Sequence, residues 1–211
     1  MGFQFSPGNG SQVFSLGYGI YNQAQNITTS YVQTRHGDKT ILTNKDLDFT
    51  TSHHFVFTYD WNISDKTRLK AEAYYQSLKN VPVEQNPSSF SAINTGISFG
   101  PMNQDSLINN GGGTNYGIEL TLERFFNDGY YYLFTTSLFN SRYEGSDRIE
   151  RNTAYNTRYV VNALAGKEWG LKGGKFFSVN LKATTIGGLY LTPLDYELSQ
   201  ARGRAVYQES K

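Results

Sequence analysis

The sequence predicts an all-β protein, an antiparallel up-and-down transmembrane β-barrel of which this chain supplies about seven to eight long strands. Three observations predict this fold class. Apolar residues recur at every second position along most of the chain, the connections between these stretches are short and long in turn, and each stretch runs to about 11–13 residues. Residues 1–211 are therefore interpreted as one partial barrel domain.

The composition agrees with this class. The chain has 211 residues and a formal net charge of +1, with 18% charged and 15% aromatic residues, whereas a soluble domain has roughly 25% charged residues. This charge balance gives no indication of a nucleic-acid partner. Because cysteine is absent, a disulfide framework, a thiolate metal site and a cysteine nucleophile are excluded. The chain has no run of about 18 apolar residues, so it predicts no transmembrane helix.

Alternation is clearest in four segments. Residues 14–20, 55–61, 69–75 and 177–183 carry an apolar side chain at every second position, with mostly polar, charged or small residues between them. Because successive side chains of a strand point to opposite faces, each segment predicts a strand with one apolar face. The stub at residues 2–5 has the same character but is too short to cross a bilayer.

A fifth strand is predicted at GIELTLERFF, residues 117–126. Ile118, Leu120 and Leu122 lie on one face of this strand, and two glutamates and a threonine lie on the other. Two further strands, at about 130–142 and 155–168, alternate less cleanly. No helix is predicted.

Short and long connections alternate along the chain. Four short ones are rich in the Gly, Asn, Asp and Pro that tight turns require, at residues 6–10, 62–66, 127–129 and 170–174. Four long ones are predicted at about 23–48, 80–112, 143–154 and after 187. This order produces a meander with tight turns at one rim and long loops at the other, as in outer-membrane barrels.

Strand length and aromatic placement favour a membrane. Strands of soluble proteins cluster near 5–6 residues, but an 11-residue strand is ~36 Å long and spans ~26 Å at a tilt of ~45°, close to the ~25 Å apolar band of a barrel. Aromatic residues flank the short turns, as expected of one girdle at a periplasmic rim. These residues are Trp61, Phe125, Phe126, Tyr130, Tyr131, Trp169, Phe176 and Phe177.

Two alternatives produce the same alternation. In a membrane barrel, Leu120 and its apolar neighbours face lipid and Thr121 faces a wet lumen. A soluble β-barrel or sandwich that binds a small ligand instead turns one face to a core and the other to solvent. A sheet edge left open in hydrocarbon costs several kcal/mol for each unpaired backbone group. We therefore expect the chain to be a fragment of a larger barrel that lacks a signal peptide, a plug domain and the last strands.

Several stretches resemble the C-terminal barrel half of TonB-dependent outer-membrane receptors, in the lineage whose plug follows a carboxypeptidase-like regulatory domain. They cover most of the chain in an order consistent with that family. The stretches are FSLGYG (14–19), NKDLDFTTSHHFVFTYDW (44–61), RLKAEAYYQSLKNVPVE (68–84), PSSFSAINTG (87–96), GTNYGIELTLERFF (113–126), GYYYLFTTSLFNSRYEGSD (129–147), ERNTAYNTRYVVNALAGKEW (150–169) and GGLYLTPLD (187–195).

The resemblance implies a monomeric barrel of about 22 strands in the outer membrane of a Gram-negative cell. Such a receptor is not an enzyme and needs no cofactor. It binds a scarce small-molecule ligand outside, such as a siderophore, a metal chelate or an oligosaccharide, and imports it when TonB pulls on the plug. The implied partners are outer-membrane lipid, the plug domain and, through the missing N-terminal part, TonB. The alternative is a small complete outer-membrane barrel that acts as an adhesin or a structural protein.

Few residues indicate a chemical site. His53 and His54, with His36 nearby in the sequence, are neighbours on a predicted strand and point to opposite faces, so we expect no shared metal. Asp46 and Asp48 could hold Ca²⁺, since hard oxygen ligands suit that ion, but solvation of a loop is the favoured interpretation. The glycines at 17–19 and 111–113 lack the lysine and spacing of a phosphate loop, and are interpreted as strand glycines that allow curvature or close approach.

Charged side chains on the predicted lumen face are more informative. Arg68, Lys70, Glu72, Glu119 and Glu123 alternate with apolar residues, as expected of a hydrated wall that pairs charges across strands or grips a plug. The loops at 80–112 and 142–156 are candidates for ligand contact by location alone.

Overall fold

The computed structural model describes residues 1–8, 10–95, 104–190 and 193–208, and for His36 only the backbone. The prediction of an all-β antiparallel meander is confirmed. The strands are β1 (Gly2–Phe5), β2 (Gln12–Gln23), β3 (Gln33–His36), β4 (Lys39–Leu42), β5 (Thr50–Ser64), β6 (Thr67–Glu84), β7 (Leu107–Asn127), β8 (Tyr130–Glu144), β9 (Glu150–Asn152), β10 (Tyr159–Gly170) and β11 (Phe176–Ile186). Two short helices are α1 (Ile27–Ser30) and α2 (Tyr196–Arg202).

Eight strands form one antiparallel sheet in the order β1-β2-β5-β6-β7-β8-β10-β11. β9 adds to the end of β8, while β3 and β4 form a separate hairpin in the first long connection. Each long strand therefore pairs with the next long strand along the chain. Among the described residues, the outer edges of β1 and β11 have no further strand beside them.

The tight turns lie where the sequence predicts them. β5 and β6 are joined by two residues, and β7 and β8 by Asp128 and Gly129, whose φ angles are 54° and 74°. Positive φ at both central residues is the geometry of a two-residue hairpin turn that matches the twist of the strands. The alternation of short turns and long loops is thus confirmed.

The second long connection of the prediction, 80–112, is wrong at both ends. Residues 80–84 and 107–112 belong to β6 and β7, which contain 18 and 21 residues and extend beyond their neighbours. Asn80 and Pro82 resemble turn residues in the sequence, but the register shifts between Leu78 and Val81 and the strand continues past this bulge. The connecting loop is 85–106, and its residues 96–103 lie outside the described part.

The other corrections concern β10 and the helices. β10 begins at Tyr159 instead of near residue 155, because 153–158 close a turn after β9. The expectation of no helix is wrong for α2, which ordinary capping signals explain. The Asp195 side chain accepts a hydrogen bond from the backbone N–H of Leu198, and Gly203 ends the helix at φ 61°.

The packed core is small and lies at the long-loop end of the sheet. Among the described residues the buried hydrophobic side chains are Val81, Val83, Leu107 and Tyr143. The accessible surface is 14340 Å², whereas a compact monomer of 23.8 kDa has about 9,900 Å². Most of the sheet is therefore a single layer. No helix among the described residues is long and apolar enough to cross a membrane.

Candidate functional site

The strand register places the apolar side chains on one face, here called the apolar face. One row of directly opposed residues crosses seven strands as Phe3, Leu16, Phe57, Ala73, Ile118, Leu138 and Tyr159. No second layer of the described chain covers this face, since Ile118 is 59% exposed and Leu181 is 69% exposed. The soluble alternative requires these side chains to pack in a dry centre, and the described residues form no such centre.

Aromatic side chains lie at both ends of the apolar face. The girdle predicted near the short turns includes the stacked rings of Trp169 and Phe177, whose centroids are 5.7 Å apart. A further aromatic row was not predicted. Tyr18, Phe55, Tyr75 and Tyr116 are opposed in a single row nearer the long loops. Sequence alone could not align this second row, because its members come from four strands whose register it does not give.

The opposite face, here called the polar face, carries the predicted charged residues. The register opposes Arg68 to Glu123 and Glu72 to Glu119, with Lys70 on the same face. This confirms that the five residues share one face. Arg68 forms an ion pair with Asp60 and a second one with Glu123, in which Nη1 and Oε1 are 3.2 Å apart. The pairing with Asp60 was missed, because it depends on the register of β5 and β6.

Two glutamates of the polar face are directly opposed. Like charges at opposed positions are destabilising, and the neighbours of Glu72 and Glu119 reduce this cost. The Lys70 Nζ lies 2.7 Å from Glu72, and the Ser137 hydroxyl donates to Glu119 at 3.2 Å. Glu119 has only this neutral donor among the side-chain contacts of the described residues.

The charged cluster as a whole has an excess of negative charge. Its four carboxylates belong to Asp60, Glu72, Glu119 and Glu123, and its two cations to Arg68 and Lys70. All of these side chains lie on three neighbouring strands, β5, β6 and β7. A surface of this charge is complementary to a partner that presents Lys or Arg.

A second, uncharged network lies on the polar face nearer the long loops. The Asn115 amide donates to Gln76 at 2.7 Å, and the Ser141 hydroxyl donates to Asn115 at 2.6 Å. Gln76 in turn donates to the Ser52 hydroxyl at 2.9 Å and faces His54 Nε2. The network joins side chains of four adjacent strands, so this part of the wall is held by neutral hydrogen bonds.

Three tyrosine rings lie against glycines on the polar face. Tyr131 is opposed to Gly166 and Tyr74 to Gly117 in the register, and a Cβ added at Gly117 would lie 2.8 Å from the Tyr74 hydroxyl. Aromatic rings that cover glycines of a neighbouring strand help to fix strand register. The third pair is Tyr21 and Gly19 on β2.

The long loops are fastened to one another. The Ser146 hydroxyl donates to the Asn86 carbonyl at 2.6 Å, and the Ala154 N–H donates to the Asn94 side chain at 2.7 Å. Asp147 and Arg151 form an ion pair of 2.7 Å with side chains 17% and 12% exposed. The Arg151 guanidinium holds the pKa of Asp147 below its usual range. The loops predicted to contact ligand thus have a defined shape where they are described.

The remaining candidates do not form a chemical site. The Tyr18 hydroxyl lies 2.8 Å from His53 Nδ1. His54 contacts Tyr21 and Gln76 on the opposite face. Asp46 and Asp48 are exposed in the connection before β5. Within the described ranges, no three His, Asp or Glu side chains are grouped as metal ligands.

The strand glycines provide close approach, but to side chains of the same chain. A Cβ at Gly19 would lie 2.7 Å from the Tyr21 ring, and one at Gly113 would lie 2.6 Å from Ile93. These positions are therefore packing sites of the sheet, in agreement with the interpretation of the glycines at 17–19 and 111–113 as strand residues.

Comparisons with known proteins do not identify a family. No family description matches the chain, and no curated protein matches it.

Proposed function

We propose that this chain forms part of the wall and the external loops of a TonB-dependent outer-membrane transporter. The single observation that carries the proposal is the uncovered apolar face, which extends over eight strands and is bordered by aromatic rows. At about 25 cal/mol per Å² of apolar surface, leaving such a face in water is costly. Acyl chains remove that cost without any further protein layer.

The open edges of the sheet agree with this proposal. In hydrocarbon, the backbone groups of β1 and β11 need partners. Further strands beside both edges satisfy them, and a barrel of about 22 strands has a lumen wide enough for a plug. The ligand-transporting protein is therefore larger than the described sheet.

The two parts of the polar face suit two different tasks. The charged cluster, with its excess of carboxylates, suits a plug domain that presents basic side chains. Loops 85–95 and 145–158, which are hydrogen-bonded to each other, lie at the opposite end of the sheet from the short turns. They are the candidates for contact with a siderophore, a metal chelate or an oligosaccharide. In this proposal the protein binds and imports and catalyses no reaction.

Surface labelling of intact cells tests the orientation and the location together. An epitope inserted after Arg148, in the long loop, should be accessible to antibody on whole cells. The same epitope inserted between Asp128 and Gly129 should become accessible only after the outer membrane is permeabilised. Equal accessibility of both sites on intact cells, or recovery of the protein in the soluble fraction, contradicts the proposal.

Transport itself needs a second measurement. Cells that express the full-length protein should accumulate its ligand only when TonB and the proton gradient are present. The ligand is found by supplying iron siderophores and oligosaccharides in turn as the limiting nutrient. Growth that does not depend on TonB favours the adhesin or structural alternative.

A further inference from the structure

Two cations share one aromatic ring at the short-turn end of the apolar face. The Arg124 Cζ lies 4.4 Å from the centroid of the Tyr130 ring, and the Lys167 Nζ lies 5.1 Å from it. The three residues belong to β7, β8 and β10, which are adjacent in the sheet. Each cation is attracted by the ring, but the two positive charges repel each other. An anion held between them removes that repulsion.

The protein itself neutralises this cluster only in part. Asp128 is the acidic group that meets it, with 3.5 Å between its Oδ2 and the Arg124 Nη2, and the Lys167 Nζ donates to the Asp128 carbonyl at 3.1 Å. The Asp128 side chain is 75% exposed, so water and salt screen it. The buried Nε of Arg124 has no hydrogen-bond acceptor among the described residues. The cluster thus keeps a net positive charge.

The position of the cluster matches the depth of a lipid headgroup. The register opposes Tyr130 to Lys167 and Arg124 to Tyr132, which places the cluster on the apolar face. Along β10 this face carries Ala163 and Ala165, then Lys167, then Trp169 next to the short turn. The indole of Trp169 belongs at the headgroup level of a bilayer, and Lys167 lies only two residues from it on the same face, within reach of that level.

We propose that Arg124, Tyr130 and Lys167 form a binding site for the phosphate of an anionic phospholipid in the leaflet next to the short turns. The site rests on the proposed function, because it requires the apolar face to lie in a bilayer. Two cations and one screened carboxylate are complementary to a headgroup with one negative charge. The lipid fixes β7, β8 and β10 together at the rim where the short turns meet the interface.

Lipid retention measured by native mass spectrometry tests this site. The full-length protein is folded into vesicles of equal parts phosphatidylglycerol and phosphatidylcholine with identical acyl chains. The test variant is Arg124→Gln with Lys167→Gln, and the control is Lys182→Gln, which removes an exposed cation from the other face of β11. Wild type and control should retain phosphatidylglycerol. The double variant should bind it roughly thirtyfold more weakly, since each basic residue near an anionic surface contributes about a fivefold factor.

Three outcomes overturn the site. Equal retention of phosphatidylglycerol by wild type and the double variant shows that the cluster does not bind it. Equal retention of phosphatidylglycerol and phosphatidylcholine by wild type shows that the headgroup charge does not determine binding. Displacement of the lipid by millimolar inorganic phosphate shows that the cluster is a simple anion site. If the double variant does not fold, Lys167→Gln alone carries the test with an expected fivefold loss. Vesicle flotation is measured separately, because a protein that does not float contradicts the proposed function itself.

Discussion

The two faces of β6 and β7 share one backbone but differ in how their side chains are satisfied. On the polar face, ion pairs and hydrogen bonds connect neighbouring strands, as between Arg68 and Glu123 or Gln76 and Asn115. On the apolar face, side chains such as Ile118 meet only similar neighbours and remain exposed. The polar face is therefore largely complete within the chain, whereas the apolar face needs an apolar surrounding.

This difference explains why the chain has so small a core. A soluble sheet of this size buries one face under a second layer, but here the buried side chains gather at the long-loop end, around Val81 and Tyr143. That end lies beyond the apolar rows and has its own packing. In the proposed membrane barrel, the same strands pass from a lipid surrounding into an ordinary protein interior.

The largest effect is expected from a charge placed on the apolar face. Leu120→Arg should lower the free energy of unfolding in bilayers by about 2–4 kcal/mol, because a cation near the middle of the lipid band is poorly solvated. Thr121→Arg is the matched control on the polar face, where Glu119 and Glu123 flank it, and should change stability little. Urea titration of both variants in vesicles measures the difference. Similar losses in the two variants contradict the assignment of the faces.

A smaller loss is expected where a tyrosine covers a glycine. Gly117→Ala should cost about 1–3 kcal/mol, because the new Cβ meets the Leu138 carbonyl and the Tyr74 hydroxyl at 2.7 and 2.8 Å. Gly170→Ala is the control, since nothing lies within 4 Å of the added atom, and should stay within about 0.5 kcal/mol of wild type. Equal stability of the two variants in the same titration would show that the close approach at Gly117 is absent.

The charged cluster should contribute less, because its side chains are partly exposed. Arg68→Ala removes the cation between Asp60 and Glu123 and should cost about 1–2 kcal/mol. Lys182→Ala, on the same face but without an ion pair among the described residues, serves as the control. A double-mutant cycle with Asp60→Asn isolates the pair. A coupling energy indistinguishable from zero would show that the pair of Arg68 and Asp60 does not stabilise the sheet.

The smallest effect is expected from acid at the long-loop end. The lowered pKa of Asp147 means that its ion pair stabilises the loop fully above the ordinary carboxyl pKa of about 3.9. This contribution is lost as the pH falls through the lower value of the folded state. The protection factors of residues 145–158 against hydrogen exchange should therefore fall below about pH 4, and Arg151→Gln should abolish most of this pH dependence. An acid response that the variant retains in full places its origin elsewhere.

Local patterns in the sequence predicted the elements well. Alternation located the eight strands of the sheet, and the Asn-Asp-Gly stretch at 127–129 predicted its tight turn, because both are properties of neighbouring residues. The strand ends near Glu84 and Leu107 were missed, since a bulge lets β6 continue past residues that ordinarily form turns. Helix α2 was overlooked although Asp195 and Gly203 are ordinary cap residues.

Contacts between strands could not be predicted in the same way. Arg68 and Asp60 are eight residues apart in sequence, but their pairing depends on which residues of β5 and β6 are opposed. The uncharged network that joins Gln76 to Ser141 depends likewise on the register of several strands. So does the position of the Tyr131 ring over Gly166. A one-residue slip would move every side chain of a strand to the other face. The contacts on the apolar face and the polar face could therefore be identified only from the structure.

The most direct test of the central claim uses the absence of cysteine from the chain. Single cysteines are placed at residues 116–123 of β7, labelled with a nitroxide in vesicles, and compared for collision with oxygen, which concentrates in lipid, and with a water-soluble nickel complex. We expect strict alternation, with residues 118, 120 and 122 exposed to oxygen and residues 119, 121 and 123 exposed to nickel. Equal access of nickel to both sets would contradict it.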